Sequence, residues 1–182
     1  MAHQTLIWCA RLAARLGFSS GALWQGMLIE RSSQPDFVRI PAANKKYRCA
    51  ARAGNSDAMW FLAVNRLGRK GGACDYDEAV YWLEQASKRG HARACWALGR
   101  MYIKAAVVPH DPQQGMQLLE RAARTGHREA CLTLSEIYRR GVNSTVADPQ
   151  KARYWYLRAE SPLDRLLIRL GLLQVVQKGK SV

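Results

Sequence analysis

The sequence lacks the marks of a membrane protein, a secreted protein or an enzyme. No stretch approaches the ~18 uninterrupted apolar residues of a membrane span. Arg11 and Arg15 interrupt the apolar N-terminal segment, which is unlike a secretory signal. No two cysteines have C-x-x-C spacing, and no glycine string matches a phosphate loop. G-x-S-x-G and H-E-x-x-H are absent. No catalytic residue, cofactor, metal or small-molecule substrate is therefore expected, and the hydrolase and other enzyme readings rank last. The five cysteines, Cys9, Cys49, Cys74, Cys95 and Cys131, are an odd number, which argues against a complete disulfide framework. Acids are scarce: 14 Asp and Glu stand against 28 Lys and Arg, for a net charge of +14. Such a charge steers acidic partners, or else serves only as a solvated surface. It is uneven, with eight basic and three acidic residues over 36–76 and seven and two over 149–182.

The chain does contain a repeat. Ala13-Ala14-Arg15-Leu16-Gly17, Ala50-Ala51-Arg52-Ala53-Gly54, Ala86-Ser87-Lys88-Arg89-Gly90 and Ala122-Ala123-Arg124-Thr125-Gly126 end in glycines 37, 36 and 36 residues apart. A fixed period in this range is the signature of a repeat solenoid. After each of the last three glycines come Ala58, Ala94 and Ala130, then Leu62, Leu98 and Leu134, then a small residue: Ala63, Gly99 and Ser135. Positions i, i+4 and i+8 share one helix face, so these residues predict a first-type helix with an inward small-then-large stripe. The next matched position holds Arg66, Tyr102 and Tyr138.

Asp75, Asp111 and Asp148 mark the start of a second-type helix in each unit, because Asp accepts free N–H groups of a first turn. Glu78 and Gln114 stand three residues on, at capping-box spacing. Pro112 and Pro149 occupy the first helical position, where a missing N–H does no harm. Each repeat glycine then ends its helix in a left-handed cap. Residues 4–16 and 41–53 read as further second-type helices, 20–30 as a degenerate first-type helix with Gln25 in place of Leu, and 31–40 as a loop. Leu163, Leu166, Leu167 and Leu170 predict a terminal helix that covers the last unit. Residues 1–29 contain no acid and also fit a mitochondrial transit peptide, although the repeat string inside them favours structure.

A helix pair of about 36 residues with A-x-x-x-L-G-x-x-Y, a Gly141-Val142 loop and A-x-x-W-x-x-x-A-A-x-x-G resembles the Sel-1-like repeats, relatives of the tetratricopeptide repeats. Residues 86–159 match best, through Ala94, Leu98, Gly99, Tyr102, Trp155 and Ala159. The unit with Arg66 is poorer, and the loop Ala105–Pro109 lacks its glycine. The expected fold class is all-α, a right-handed α-solenoid of stacked antiparallel helix pairs. It is a single domain over 1–182, with a degenerate N-terminal capping region at 1–40, repeats over 41–160 and a C-terminal capping helix at 161–182. The resemblance implies an adaptor or scaffold that binds a protein partner, here an acidic one, in the cytoplasm of a bacterial cell. The alternative is a neutraliser or chaperone of one cognate effector. In a cysteine-rich secreted branch of the family, a first-helix cysteine bridges to one near the end of a second helix. Cys95 and Cys131 match the first position, but Ala51, Ser87 and Ala123 occupy the other, so those bridges cannot form and a reducing compartment fits better. Asn143-Ser144-Thr145 matches a glycosylation sequon and is read as a plain loop.

His91 and His127 are equivalent positions just after the capping glycines. Equivalent residues of stacked units lie at least ~8–10 Å apart, too far to share a metal, so they are read as turn-packing or helix-start residues. Trp60 and Trp96 stand 36 apart, as core packing or as anchors for a partner. By resemblance, first helices line the partner face, and Arg93 and Arg100 occupy positions that look free of the core. The candidate partner-binding residues are thus Trp60, Arg93, Trp96 and Arg100. Lys45, Lys46, Arg48 and Arg52 lie on a second-type helix. Nucleic acid is not expected, because no reading module is present and the cations form no obvious stripe in the sequence. An anionic membrane surface facing residues 163–180 is a further alternative.

Overall fold

The computed structural model describes residues 12–13, 19–33, 35–68, 75–105, 107–141 and 146–160. Among them the chain forms eight α-helices and no strand. These are α1 (Ser19–Glu30), α2 (Asp36–Arg52), α3 (Ser56–Leu67), α4 (Tyr76–Lys88), α5 (Ala92–Lys104), α6 (Pro112–Arg124), α7 (Arg128–Arg140) and α8 (Pro149–Ala159). Each odd-numbered helix packs most extensively on the helix that follows it, and each pair joins the next through its second helix. Contacts that run only between neighbours make an α-solenoid. The expected helix at 4–16, Val142 and the sequon, and the terminal helix at 161–182 lie outside the described residues, apart from helical Leu12 and Ala13, and of the transit-like segment at 1–29 residues 19–29 fall in α1.

The corners between units follow from the glycines. Gly54, Gly90 and Gly126 have φ of 89°, 83° and 88°, in the left-handed region that side chains resist. At each corner the glycine N–H donates to a carbonyl three residues back, and the next N–H to one five back, as with Gly90 to Ser87 and His91 to Ala86. That pattern is a Schellman cap. The residue after the glycine then caps the following helix. Asn55 Oδ1 accepts the Ala58 N–H at 3.0 Å, and the rings of His91 and His127 accept those of Ala94 and Ala130. The aspartates behave as expected: Asp75, Asp111 and Asp148 accept N–H groups of the first turns of α4, α6 and α8 at 2.9–3.0 Å.

The inward stripe forms the core. Ala58, Ala94, Ala130, Leu62 and Leu134 are fully buried, as are Leu83 and Leu119 on the second helices. Where α5 crosses α6, Gly99 faces Gly115. A Cβ on either would come 2.8 Å from the other's carbonyl oxygen, so only glycine admits this approach. The thiols of Cys95 and Cys131 lie 3.8 and 3.7 Å from the carbonyls of Ser87 and Ala123, where the disulfide branch would place their partners. Both are free and buried, while Cys49 is free and exposed.

Three expectations are corrected. Residues 31–40 are not all loop, because α2 begins at Asp36 and carries Pro41 inside it. The extra turn is held by burial of Ile40 and by Arg39, which donates to the Glu30 and Ser32 carbonyls and pairs with Asp36. The Asp75–Glu78 capping box is half formed. Glu78 turns instead to Arg48, Arg66 and the Trp82 indole N–H. Arg66 is therefore not a defect in its unit, since it meets a carboxylate where Tyr102 meets Gln114.

Candidate interaction surface

The first helices present one face each through residues at i, i+3 and i+7. On α3 these are Asp57, Trp60 and Val64; on α5, Arg93, Trp96 and Arg100; on α7, Glu129, Leu132 and Glu136. Asp57, Arg93 and Glu129 are exposed, and the rest are half-buried. The charges alternate in sign from helix to helix, so the face as a whole is mixed.

The tryptophans tie consecutive units together. Trp60 stacks on the His91 ring at 5.6 Å, and Trp96 lies 5.7 Å from that of His127. The Trp96 indole N–H donates to Thr133 Oγ1 at 3.2 Å, and the Arg100 guanidinium sits 4.9 Å above the same ring. Arg93, Trp96 and Arg100 come together as one strip on α5. Trp60 stands on the neighbouring helix against His91.

The histidine tautomers follow from their partners. His91 Nδ1 accepts a backbone N–H at 3.2 Å, so Nε2 carries the proton and donates to Asp57 Oδ1 at 3.1 Å. Burial pushes the His91 pKa below its ordinary value; Asp57 opposes this and Arg93 adds to it. Burial likewise lowers His127, opposed by Glu129 and aided again by Arg93. The Glu129 carboxylate lies 3.5 Å from His127 Nδ1, a contact that becomes attractive only on protonation. With Nδ1 of both rings used as helix caps, the helix-start reading of these residues holds. Among the described residues, no three His, Cys, Asp or Glu side chains gather as a metal site would require.

A sequence profile for the Sel1 repeat matches residues 56–91, 92–127 and 128–161, more than half of the chain. The chain belongs to the Sel1 repeat family. Its fold is similar to the crystal structure of a Sel1 repeat protein from Oxalobacter formigenes, with a TM-score of 0.75 and 24% identity over 85% of this chain. It is equally similar, at TM-score 0.75 and 24% identity over 84% of this chain, to c5321, a protective antigen of uropathogenic Escherichia coli strains that displays an SLR fold. The chain spans 61% and 32% of those two chains. No curated protein sequence matches it. Sel1 repeat proteins generally mediate protein–protein interaction and are typically non-catalytic scaffolds. Among the described residues no helix is long and apolar enough to cross a membrane.

Two kinds of residue escaped the sequence reading. Arg121 donates to the Ser87 carbonyl, and Arg158 to that of Arg124 at 3.2 Å. Each guanidinium thus adds a charged donor to a carbonyl in the last turn of the preceding second helix. Their 37-residue spacing was the available signal. The second kind is the matched pair of Tyr47 and Gly26. Tyr47 is fully buried, stacks on Phe61 at 5.2 Å and donates to Glu30 at 2.7 Å. A Cβ at Gly26 would overlap its ring.

Proposed function

We propose that this Sel1 repeat chain is a non-catalytic adaptor whose first-helix face holds a protein partner, with an acidic segment of the partner against the α5 strip. The observation that carries this reading is the strip itself. Among the described residues, Arg93 and Arg100 form no ion pair, and they flank a half-buried Trp96 whose ring already supports Arg100. Two cations around an aromatic anchor, one of them held over its ring, suit carboxylates beside an apolar side chain. Trp60 extends the same apolar ledge onto α3. The stack is pre-ordered, so little conformational entropy opposes binding. Residues 1–40 and 161–182 close its two ends in this reading. The free thiols of Cys49, Cys95 and Cys131 fit a reducing compartment, which is here the cytoplasm of a bacterial cell.

The test is affinity capture from nuclease-treated lysate of the source organism with the tagged chain and its Arg93→Glu/Arg100→Glu variant. The proposal expects one stoichiometric protein that the parent retains and the variant loses. A protein retained equally by both would move the contact off this face.

A further inference from the structure

The outward sides of the second helices form a separate surface. Positions at i, i+4 and i+7 are Lys45, Cys49 and Arg52 on α2, and Tyr81, Gln85 and Lys88 on α4. On α6 they are Gln117, Arg121 and Arg124, and on α8 the series continues with Tyr154 and Arg158. All are exposed except Gln85, which is half-buried. Six carry positive charge and none carries negative charge, so the cations that looked scattered along the sequence are gathered by the fold. The exposed acids of these helices and their caps, Asp36, Asp75 and Asp77, lie at the opposite, N-terminal ends. Glu84 and Glu120 flank the stripe half-buried, and Glu120 pairs with Arg124 at 3.3 Å.

Helix dipoles favour cations in a last turn, which accounts in part for Arg52, Lys88 and Arg124. They do not account for Lys45 in the middle of α2 or for the two tyrosines. Tyr81 is 52% and Tyr154 54% exposed. Each ring is held edge-on at 5.0 Å by the tryptophan that follows it, and Arg158 donates to the Tyr154 hydroxyl at 3.0 Å. These are large aromatic surfaces fixed in place and left to solvent beside cations.

We infer that this stripe binds single-stranded nucleic acid, its cations tracking the phosphodiester backbone and Tyr81 and Tyr154 stacking on bases. A single sign of charge over four helices suits a uniform polyanion, whereas protein interfaces set register with charges of both signs. A membrane-surface site would place Leu, Phe or Trp at the outward tips, and here the tips are Tyr, Gln, Lys and Arg. Backbone neutralisation combined with aromatic platforms is how single strands are held without sequence preference. The inference does not depend on the first-helix partner.

The experiment is fluorescence anisotropy of a labelled 20-nucleotide mixed-sequence RNA strand with the full-length chain, between 50 and 200 mM salt. Among the described residues, Lys45, Arg52, Lys88 and Arg124 donate to no backbone carbonyl, so they can be changed together to Gln, with circular dichroism to verify the fold. Each lost contact should flatten the slope of log Kd against log salt by about 0.7, so the four together by about 2.8. Tyr81→Ala/Tyr154→Ala should weaken single-strand binding at least fivefold and leave binding of a matched duplex unchanged. Four outcomes would overturn the inference: no binding at 50 mM salt, an unchanged slope in the folded quadruple variant, equal tyrosine effects on strand and duplex, or displacement of the RNA by polyglutamate at equal charge. Binding of phosphatidylserine vesicles that the quadruple variant loses, with RNA binding absent, would assign the stripe to a membrane instead.

Discussion

The unit at 56–91 and the two that follow it build the same joints from different chemistry. Where the end of the first helix meets the start of the second, the first unit sets Arg66 against Glu78, which Arg48 and Trp82 also reach. The next unit sets Tyr102 beside Gln114, and the last places Lys151 over the Tyr138 ring at 5.4 Å. At the corners that open these units, Asn55 caps the first, while His91 and His127 cap the others. A joint is thus conserved as a contact between two positions and is free to change as a pair. Burial opposes ionisation of Glu78, but its bonds from Arg48 and Trp82 and the charges of Arg48 and Arg66 hold its carboxyl below the usual range. The first unit is therefore the electrostatic one, and the others lean on aromatic packing.

The deepest test asks whether the units are equal where their chemistry is the same. Leu62 and Leu98 occupy matched core positions, 0% and 2% exposed. Each change to Ala should cost about 2–5 kcal/mol in chemical denaturation. A loss under about 0.5 kcal/mol at either would show that the stripe does not carry that unit. The electrostatic joint comes next. Glu78→Ala strands Arg48, Arg66 and the Trp82 N–H and should cost about 1–3 kcal/mol, whereas Gln114→Ala should cost about 0.5–1.5 kcal/mol. Equal losses would erase the distinction between the two joints.

The corners should separate by pH. The folded pKa values of His91 and His127 are lowered, so the unfolded chain binds more protons just below its ordinary value of about 6.5. Stability from these caps is complete above that pH and declines as pH falls through the window beneath it. His91→Asn/His127→Asn copies the Asn55 corner and should remove that part of the decline in urea midpoints measured from pH 7.5 to 5.0. Identical profiles for parent and variant would show that the rings do not titrate as caps. The smallest effect concerns the loops. Ala105 and Val107 hold φ of 51° and 76°, and Gly141 holds 67° at the position matching Ala105. Val107→Gly should relieve a strain of about 1–2 kcal/mol and return part of it as chain entropy, for a net gain of up to about 1 kcal/mol in thermal unfolding.

The period, the Leu stripe, the aspartate caps and the left-handed glycines were legible because each is local and recurs every 36 or 37 residues. What recurs only as a pair was not legible. Arg66 looks like damage until Glu78 is seen beside it, and Gly26 looks like a weak helix residue until the Tyr47 ring is found against it. The start of α2 was hidden by Pro41, whose cost is offset by Ile40 and Arg39, partners outside the local pattern. On the surface, helical spacing puts Arg93, Trp96 and Arg100 in one strip, and the family resemblance singles out that face. The contact of the tryptophans with His91 and His127 depends on how one unit sits against the next.

The arginine ties between second helices have a direction. Arg121 and Arg158 belong to the later unit, and each grips a main-chain oxygen of the earlier one. Main-chain oxygens are present whatever the side chain, so the earlier unit need contribute no particular residue. A duplicated or grafted copy of either later unit would arrive with its own fastener and could follow any predecessor that ends in a regular helix. Such an array can lengthen during evolution by copying single units, without matching changes at the site of insertion.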